Sequence, residues 1–83
     1  MQSTVVKRSV VVGGHKTSIS LEDEFWTGLK EIAASRQLTR SDLLAQIDTR
    51  RQLPNLSSAI RLFVLQHYQE RARAADAPLL APP

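Results

Sequence analysis

Eighty-three residues with no cysteine and a net charge of +3 make at most one small domain, which neither disulfides nor a thiolate metal site can staple. At this size a monomer buries only about 60% of its unfolded surface, so help from an oligomeric partner is expected. No apolar run approaches the roughly 20 residues of a membrane helix, and the opening MQSTVVKRSVVVGG lacks the layout of a signal peptide, so a soluble, cytoplasmic protein is expected.

The charge is unevenly spread. Residues 1–21 hold Lys7, Arg8 and Lys16 with no acid, for +3; residues 22–51 carry five bases against six acids, for −1; residues 52–83 carry three against two, for +1. A basic patch at one end is a usual footprint of a polyanionic partner. The plainer reading is a solvated edge.

Residues 1–14 are β-prone, with Val5, Val6, Val10, Val11 and Val12, and end at the breaker Gly13-Gly14. Residues 15–21 then alternate with period two. Thr17, Ile19 and Leu21 fall on one face, and Lys16, Ser18 and Ser20 on the other.

At Glu22 the period becomes helical. Phe25, Gly28, Leu29, Ile32 and Ala33 keep the spacing of one buried stripe, behind carboxylates at Glu22, Asp23 and Glu24 that favour a helix start. Trp26 lies about 100° off that stripe, where it widens the apolar face or touches a partner. Gly28 inside a helix costs about 1 kcal/mol against alanine, which suggests close helix packing. A second helix is predicted from Thr39, where Thr39 and Asp42 form a variant capping box and Leu38 and Leu43 a staple. Its stripe is Leu43, Leu44 and Ile47. After Pro54-Asn55 a third helix is predicted over about 56–73, with the stripe Leu56, Ala59, Ile60, Phe63, Val64, His67 and two further leucines, Leu62 and Leu65. So broad an apolar surface predicts burial on more than one side. The Pro- and Ala-rich tail, 75–83, is expected to be disordered.

A lone amphipathic strand must pair with something, because its backbone donors and acceptors cannot go unmade. Pairing with the same strand of a second copy gives a two-fold antiparallel ribbon, which fits the roughly 12 Å major groove of B-DNA. Here KTSISLEDEFWTGLKEIAASRQLTRSDLLAQI resembles the ribbon-helix-helix (Arc/MetJ-like) family of DNA-binding repressors. The resemblance covers about residues 15–50. With VKRSVVVGG ahead and NLSSAIRLFVLQHY behind, the chain is similar to a variant found in short bacterial proteins with an extra C-terminal helix.

The resemblance implies a mainly α fold with a short N-terminal β-ribbon: a ribbon-helix-helix homodimer over 15–52, an additional helix over 53–74, and an arm over 1–14. It places the base-facing residues at Lys16, Ser18 and Ser20, and the phosphate contacts at Thr39, Arg40 and Ser41. Lys7 and Arg8 join the phosphate contacts if the arm wraps DNA. The dimer core then comprises Ile19, Leu21, Phe25, Leu29, Ile32, Leu43, Leu44 and Ile47, and the third helix offers a route to a higher oligomer through Leu62 or Leu65. Serines make single, degenerate base contacts, so Lys16 is the one strong reader.

The arm has a second reading. SVVVGGHKTSIS also suits a hairpin with Gly13-Gly14 as a two-residue turn. If both copies fold so and pair, the ribbon becomes a four-stranded sheet about 14 Å between its outer strands, too wide for the groove. Two functions follow: a dimeric regulator that inserts a ribbon into double-stranded DNA, or a protein-interaction module on the same dimeric scaffold that does not bind DNA. An open arm favours the first and a paired arm the second.

GGHKTS is not a phosphate loop, since His15 separates Gly14 from Lys16 and the first glycine of that pattern is missing. His15 and His67, the two histidines, have no clustered carboxylates. No serine sits in a recognisable base–acid constellation. Neither an enzyme nor a cofactor is expected.

Overall fold

The computed structural model describes residues 4–52 and 54–80. Strand β1 (Val5–Val12) turns at Gly13-Gly14 into strand β2 (His15–Glu22), and helices α1 (Asp23–Ser35), α2 (Arg40–Arg50) and α3 (Leu56–Leu80) follow. Of the two arrangements open to the arm, the structure shows the hairpin. β1 runs antiparallel to β2, with Val5 opposite Glu22 and Val12 opposite His15. Both turn glycines have positive φ, 58° and 83°, as a type I′ turn requires, and the absence of a Cβ makes that conformation cheap.

This pairing removes the premise that β2 lacks a partner in its own chain. Opposed residues share a face, so Val6, Arg8, Val10 and Val12 join Thr17, Ile19 and Leu21 on the inner side. Val5, Lys7, Ser9 and Val11 join Lys16, Ser18, Ser20 and Glu22 on the outer side. The expected alternation of β2 is therefore observed, now doubled by β1.

The inner face closes over the helices. Ile19, Leu21, Leu29, Ile32, Leu43, Leu44 and Ile60 are fully buried, with Val10, Val12, Ala33, Ile47, Ala59 and Val64 around them. Of the residues expected in a shared dimer core, only Phe25 is half-buried, packed against the cluster rather than inside it. Within the single chain these residues form one buried cluster, with β1 paired beside β2.

Each helix end has a local cause. Glu22 is the N-cap of α1, ahead of Asp23 and Glu24 in the first turn. At the other end Gln37 adopts φ 58°, while Leu38 N–H donates to Ala33 O (2.9 Å) and Gln37 N–H to Ala34 O (3.1 Å). These are the two bonds of a Schellman motif, here with glutamine where glycine is usual. Thr39 Oγ1 accepts from Asp42 N–H (3.0 Å) and caps α2 as expected. Asn55 Oδ1 accepts from Ser58 N–H at the start of α3.

In the single chain α3 packs along Ala59, Ile60 and Val64, leaving Leu62 and Leu65, the residues expected to meet a second subunit, exposed at 45% and 49%. The helix also continues to Leu80, past the boundary near Arg73 and into the segment expected to be disordered. Ala72, Ala74 and Ala75, strong helix formers, carry it on; residues 81–83 lie outside the described residues. Close packing at Gly28 is observed: a Cβ there would meet Val64 Cγ1 at 3.0 Å and Tyr68 Cε2 at 3.4 Å.

Candidate nucleic-acid interface

The outer face of the hairpin carries mostly polar residues. Its cross-strand pairs are Lys7 with Ser20, Ser9 with Ser18 and Val11 with Lys16. All three residues expected to face bases, Lys16, Ser18 and Ser20, lie on it. β1 adds Lys7, Ser9 and Val11, of which only Lys7 was among the expected contacts. Glu22, the one acid of this face, is held by Arg61, whose Nε donates to Glu22 Oε1 at 2.8 Å. That bond, helped by a backbone bond and the guanidinium charge, holds the Glu22 carboxyl below its ordinary pKa of 4.5, against a weaker opposing push from desolvation.

The other expected contact set sits at the start of α2. Thr39 Oγ1 caps the helix through Asp42 N–H. The N–H groups of Arg40 and Ser41, in the first turn, have no intrahelical partner and point from the positive end of the helix dipole. A shallow groove of about 270 Å³ is lined by Ser9, Val10, Val11, Lys16, Arg40, Ser41 and Leu44. One strand residue expected to read bases and two helix residues expected to bind phosphate thus line a single groove. Ser18 and Ser20 do not line it.

Trp26 organises the cations beside it, a role its position in the sequence did not disclose. The guanidinium of Arg8 lies 4.5 Å from the Trp26 ring centroid and that of Arg40 lies 4.6 Å from it. Cation–π attraction of this kind contributes about 0.5–1 kcal/mol at exposed sites. Arg8 is on the inner face of β1, not on a free arm. Its NH2 donates to Asp23 Oδ1 at 2.6 Å, and its Nε is buried with no hydrogen-bond partner. Lys7, the neighbouring residue, remains exposed on the outer face.

The far edge of β2 is closed at one point. Ser20 N–H donates to Ser57 Oγ (3.0 Å), and Arg61 NH2 donates to Ser20 O (2.9 Å). Both bonds come from α3 and use the backbone groups of Ser20 that point away from β1. By strand alternation the outward backbone groups of Lys16 and Ser18 point the same way. A polar cleft of about 620 Å³ runs along this edge, between Thr17, Ser18 and Ser20 on the strand and Pro54, Asn55 and Ser57 before and within α3. Extending β2 with another strand over 16–21 therefore meets α3 at Ser20.

A sequence model described as a ribbon-helix-helix domain matches residues 5–68. No match is found among curated proteins or among solved structures. The matched span takes in the hairpin, the first two helices and half of the third, so the chain belongs to the ribbon-helix-helix domain family.

Proposed function

We propose that the chain is a DNA-binding transcription regulator that presents the outer face of its own hairpin to the major groove of double-stranded DNA. Members of its family are typically DNA-binding transcription regulators that act as dimers. The observation that carries the reading is the groove shared by Lys16, Arg40 and Ser41. It sets a base-reaching cation beside a helix N-terminus suited to phosphate, with the Arg40 guanidinium steadied on Trp26.

A hairpin is two strands wide, as the groove demands. Pairing two β2 strands over 16–21 would make the four-stranded sheet that is too wide to enter, and Ser57 and Arg61 oppose it at Ser20. In this proposal each copy brings a complete ribbon, and two copies act together on the DNA as a homodimer without sharing a sheet. Lys16 reads bases, with Ser18 and Ser20 as weaker hydroxyl contacts. Lys7, Thr39, Arg40 and Ser41 hold phosphates, and Arg8 supports Arg40 through Trp26. With two serines on the reading strand, discrimination between sequences is modest.

The paired arm favours a second reading, a protein-interaction module that does not bind DNA. Titration of random duplex DNA into the folded chain at low and moderate salt separates the two. Saturable binding that weakens with salt supports the DNA reading; no binding at about 50 mM salt, with the protein folded, leaves the interaction module.

A further inference from the structure

α2 and α3 enclose a third concavity, which no hairpin residue touches. It has a volume of about 380 Å³, a floor of Ile47, Ala59, Leu62 and Phe63, and a rim that includes Arg36, Arg50 and Arg51. The remaining lining residues are Gln46, Gln52 and Gln66, so among the described residues no acid lines it. Arg51 is ion-paired with Asp48 at 2.9 Å. Arg36 is engaged by neutral groups: it lies 5.1 Å from the Phe63 ring centroid and 3.3 Å from His67 Nδ1. Desolvation, and then the charges of Arg36 and Arg71, hold His67 below its ordinary pKa of 6.5, against a smaller upward pull from Glu70. The surplus positive charge therefore stays with Arg36 and Arg50. Leu65, one turn beyond Leu62 on the same helix, is also exposed.

We infer that this groove docks an acidic amphipathic helix of a partner protein. An apolar floor takes leucine-type anchors at the i, i+3, i+4, i+7 spacing of a helix laid in a groove. The arginine rim selects for carboxylates flanking those anchors, because opposite charges across an interface steer association and set specificity.

Among the described residues a second copy supplies no such surface. The apolar stripes of α1 and α2 are buried in their own core at Leu29, Ile32, Leu43, Leu44 and Ile47. Around Leu62 and Leu65 on α3 stand Gln66 and Gln69, not acids.

The inference is independent of DNA binding, since the groove and the hairpin face share no residue. Its test is fluorescence anisotropy with the full chain and two labelled helical peptides. Both carry leucines at the i, i+3, i+4 and i+7 positions; one has glutamates on the flanks, and the other has lysines in their place. The glutamate peptide should bind roughly ten-fold or more tightly than the lysine peptide, a difference of about 1.4 kcal/mol. Leu62→Ser should weaken it by about ten-fold with the thermal melt unchanged, because Leu62 is already exposed. Arg50→Glu should narrow the preference between the peptides. Random duplex DNA should not displace the glutamate peptide.

Equal affinities, no saturation by ~100 μM peptide, or binding indifferent to Leu62→Ser would overturn the inference. Displacement by DNA would also do so, since it puts the peptide on the hairpin. A dimer in sedimentation that Leu62→Ser dissociates would give the groove to a second copy instead.

Discussion

The outer face of the hairpin and the outer side of α3 each leave two large apolar residues uncovered: Val5 and Val11 at 52% and 45%, Leu62 and Leu65 at 45% and 49%. Exposed apolar area is thus similar, and the surroundings differ. On the hairpin the valines alternate with Lys7, Ser9, Lys16, Ser18 and Ser20 on a two-stranded surface. On α3, Leu62 is part of a concave floor with arginines on its rim, and Leu65 follows one turn along the helix. The comparison teaches that shape and neighbouring charge, more than exposed apolar area, separate a surface suited to reading an edge from one suited to seating a helix.

The largest effect is expected from disrupting the core that holds both surfaces. Ile19 is 1% exposed on the inner face of β2. Ile19→Asp buries an unpaired carboxylate there and should unfold the chain, seen as loss of the cooperative thermal transition by circular dichroism. A folded variant with a normal melt would mean that the hairpin does not depend on this core.

A smaller blow falls on the side of α3 alone. Gly28→Leu forces a side chain against Val64 and Tyr68 and should cost about 1–3 kcal/mol, read from the urea midpoint. An unchanged midpoint would show that α3 can move away from α1 freely.

Other substitutions touch one surface and spare the other. Lys16→Ala should cost about 1–3 kcal/mol of DNA binding, mainly on preferred sites. Arg40→Ala should weaken binding evenly across sequences and flatten the salt dependence by about one phosphate contact per copy. Leu62→Ser should leave DNA affinity unchanged. A loss with Leu62→Ser as large as with Arg40→Ala would merge the two surfaces into one.

The smallest effect expected is on pH dependence. Because Arg61 lowers the folded-state pKa of Glu22, the contribution of this pair to stability is present above the ordinary value of 4.5 and is lost as the pH falls through the depressed folded value. Glu22→Gln should remove that part of the acid limb in a series of urea melts from neutral to acidic pH. Identical limbs for the two proteins would show that the Glu22–Arg61 bond is not maintained in solution.

How much was legible in the sequence follows from the range of each interaction. The alternation of β2, the Gly13-Gly14 turn and the Thr39 cap were legible because each depends on residues a few positions apart. The stripe of α1 and the tight packing at Gly28 were legible through helical periodicity and glycine's cost in a helix. Pairing within the chain was one of two readings, since a valine-rich arm can serve as a strand or remain free, and sequence pattern does not rank the two.

The role of Trp26 was not legible. It stacks with Arg8, which precedes it by 18 residues, and Arg40, which follows by 14, so the cluster exists only once β1, α1 and α2 are packed. Leu62 and Leu65 were legible as apolar, but not as the side of α3 that the single chain leaves exposed. Apolar residues around a whole helix imply burial, but not which side the same chain can cover. The α2–α3 groove arises from that incomplete cover.

The bonds from α3 to Ser20 also bear on how the chain avoids joining itself to others. An open strand edge is a template for adding further strands, and proteins protect such edges to stay free of aggregation. Here the protection arrives late in the chain: Ser57 and Arg61 follow Ser20 by 37 and 41 residues. During synthesis, the hairpin, α1 and α2 can all be present before the residues that close the edge have been added. In that interval the backbone at Ser20 is unguarded, and what limits strand addition is the speed with which the start of α3 docks.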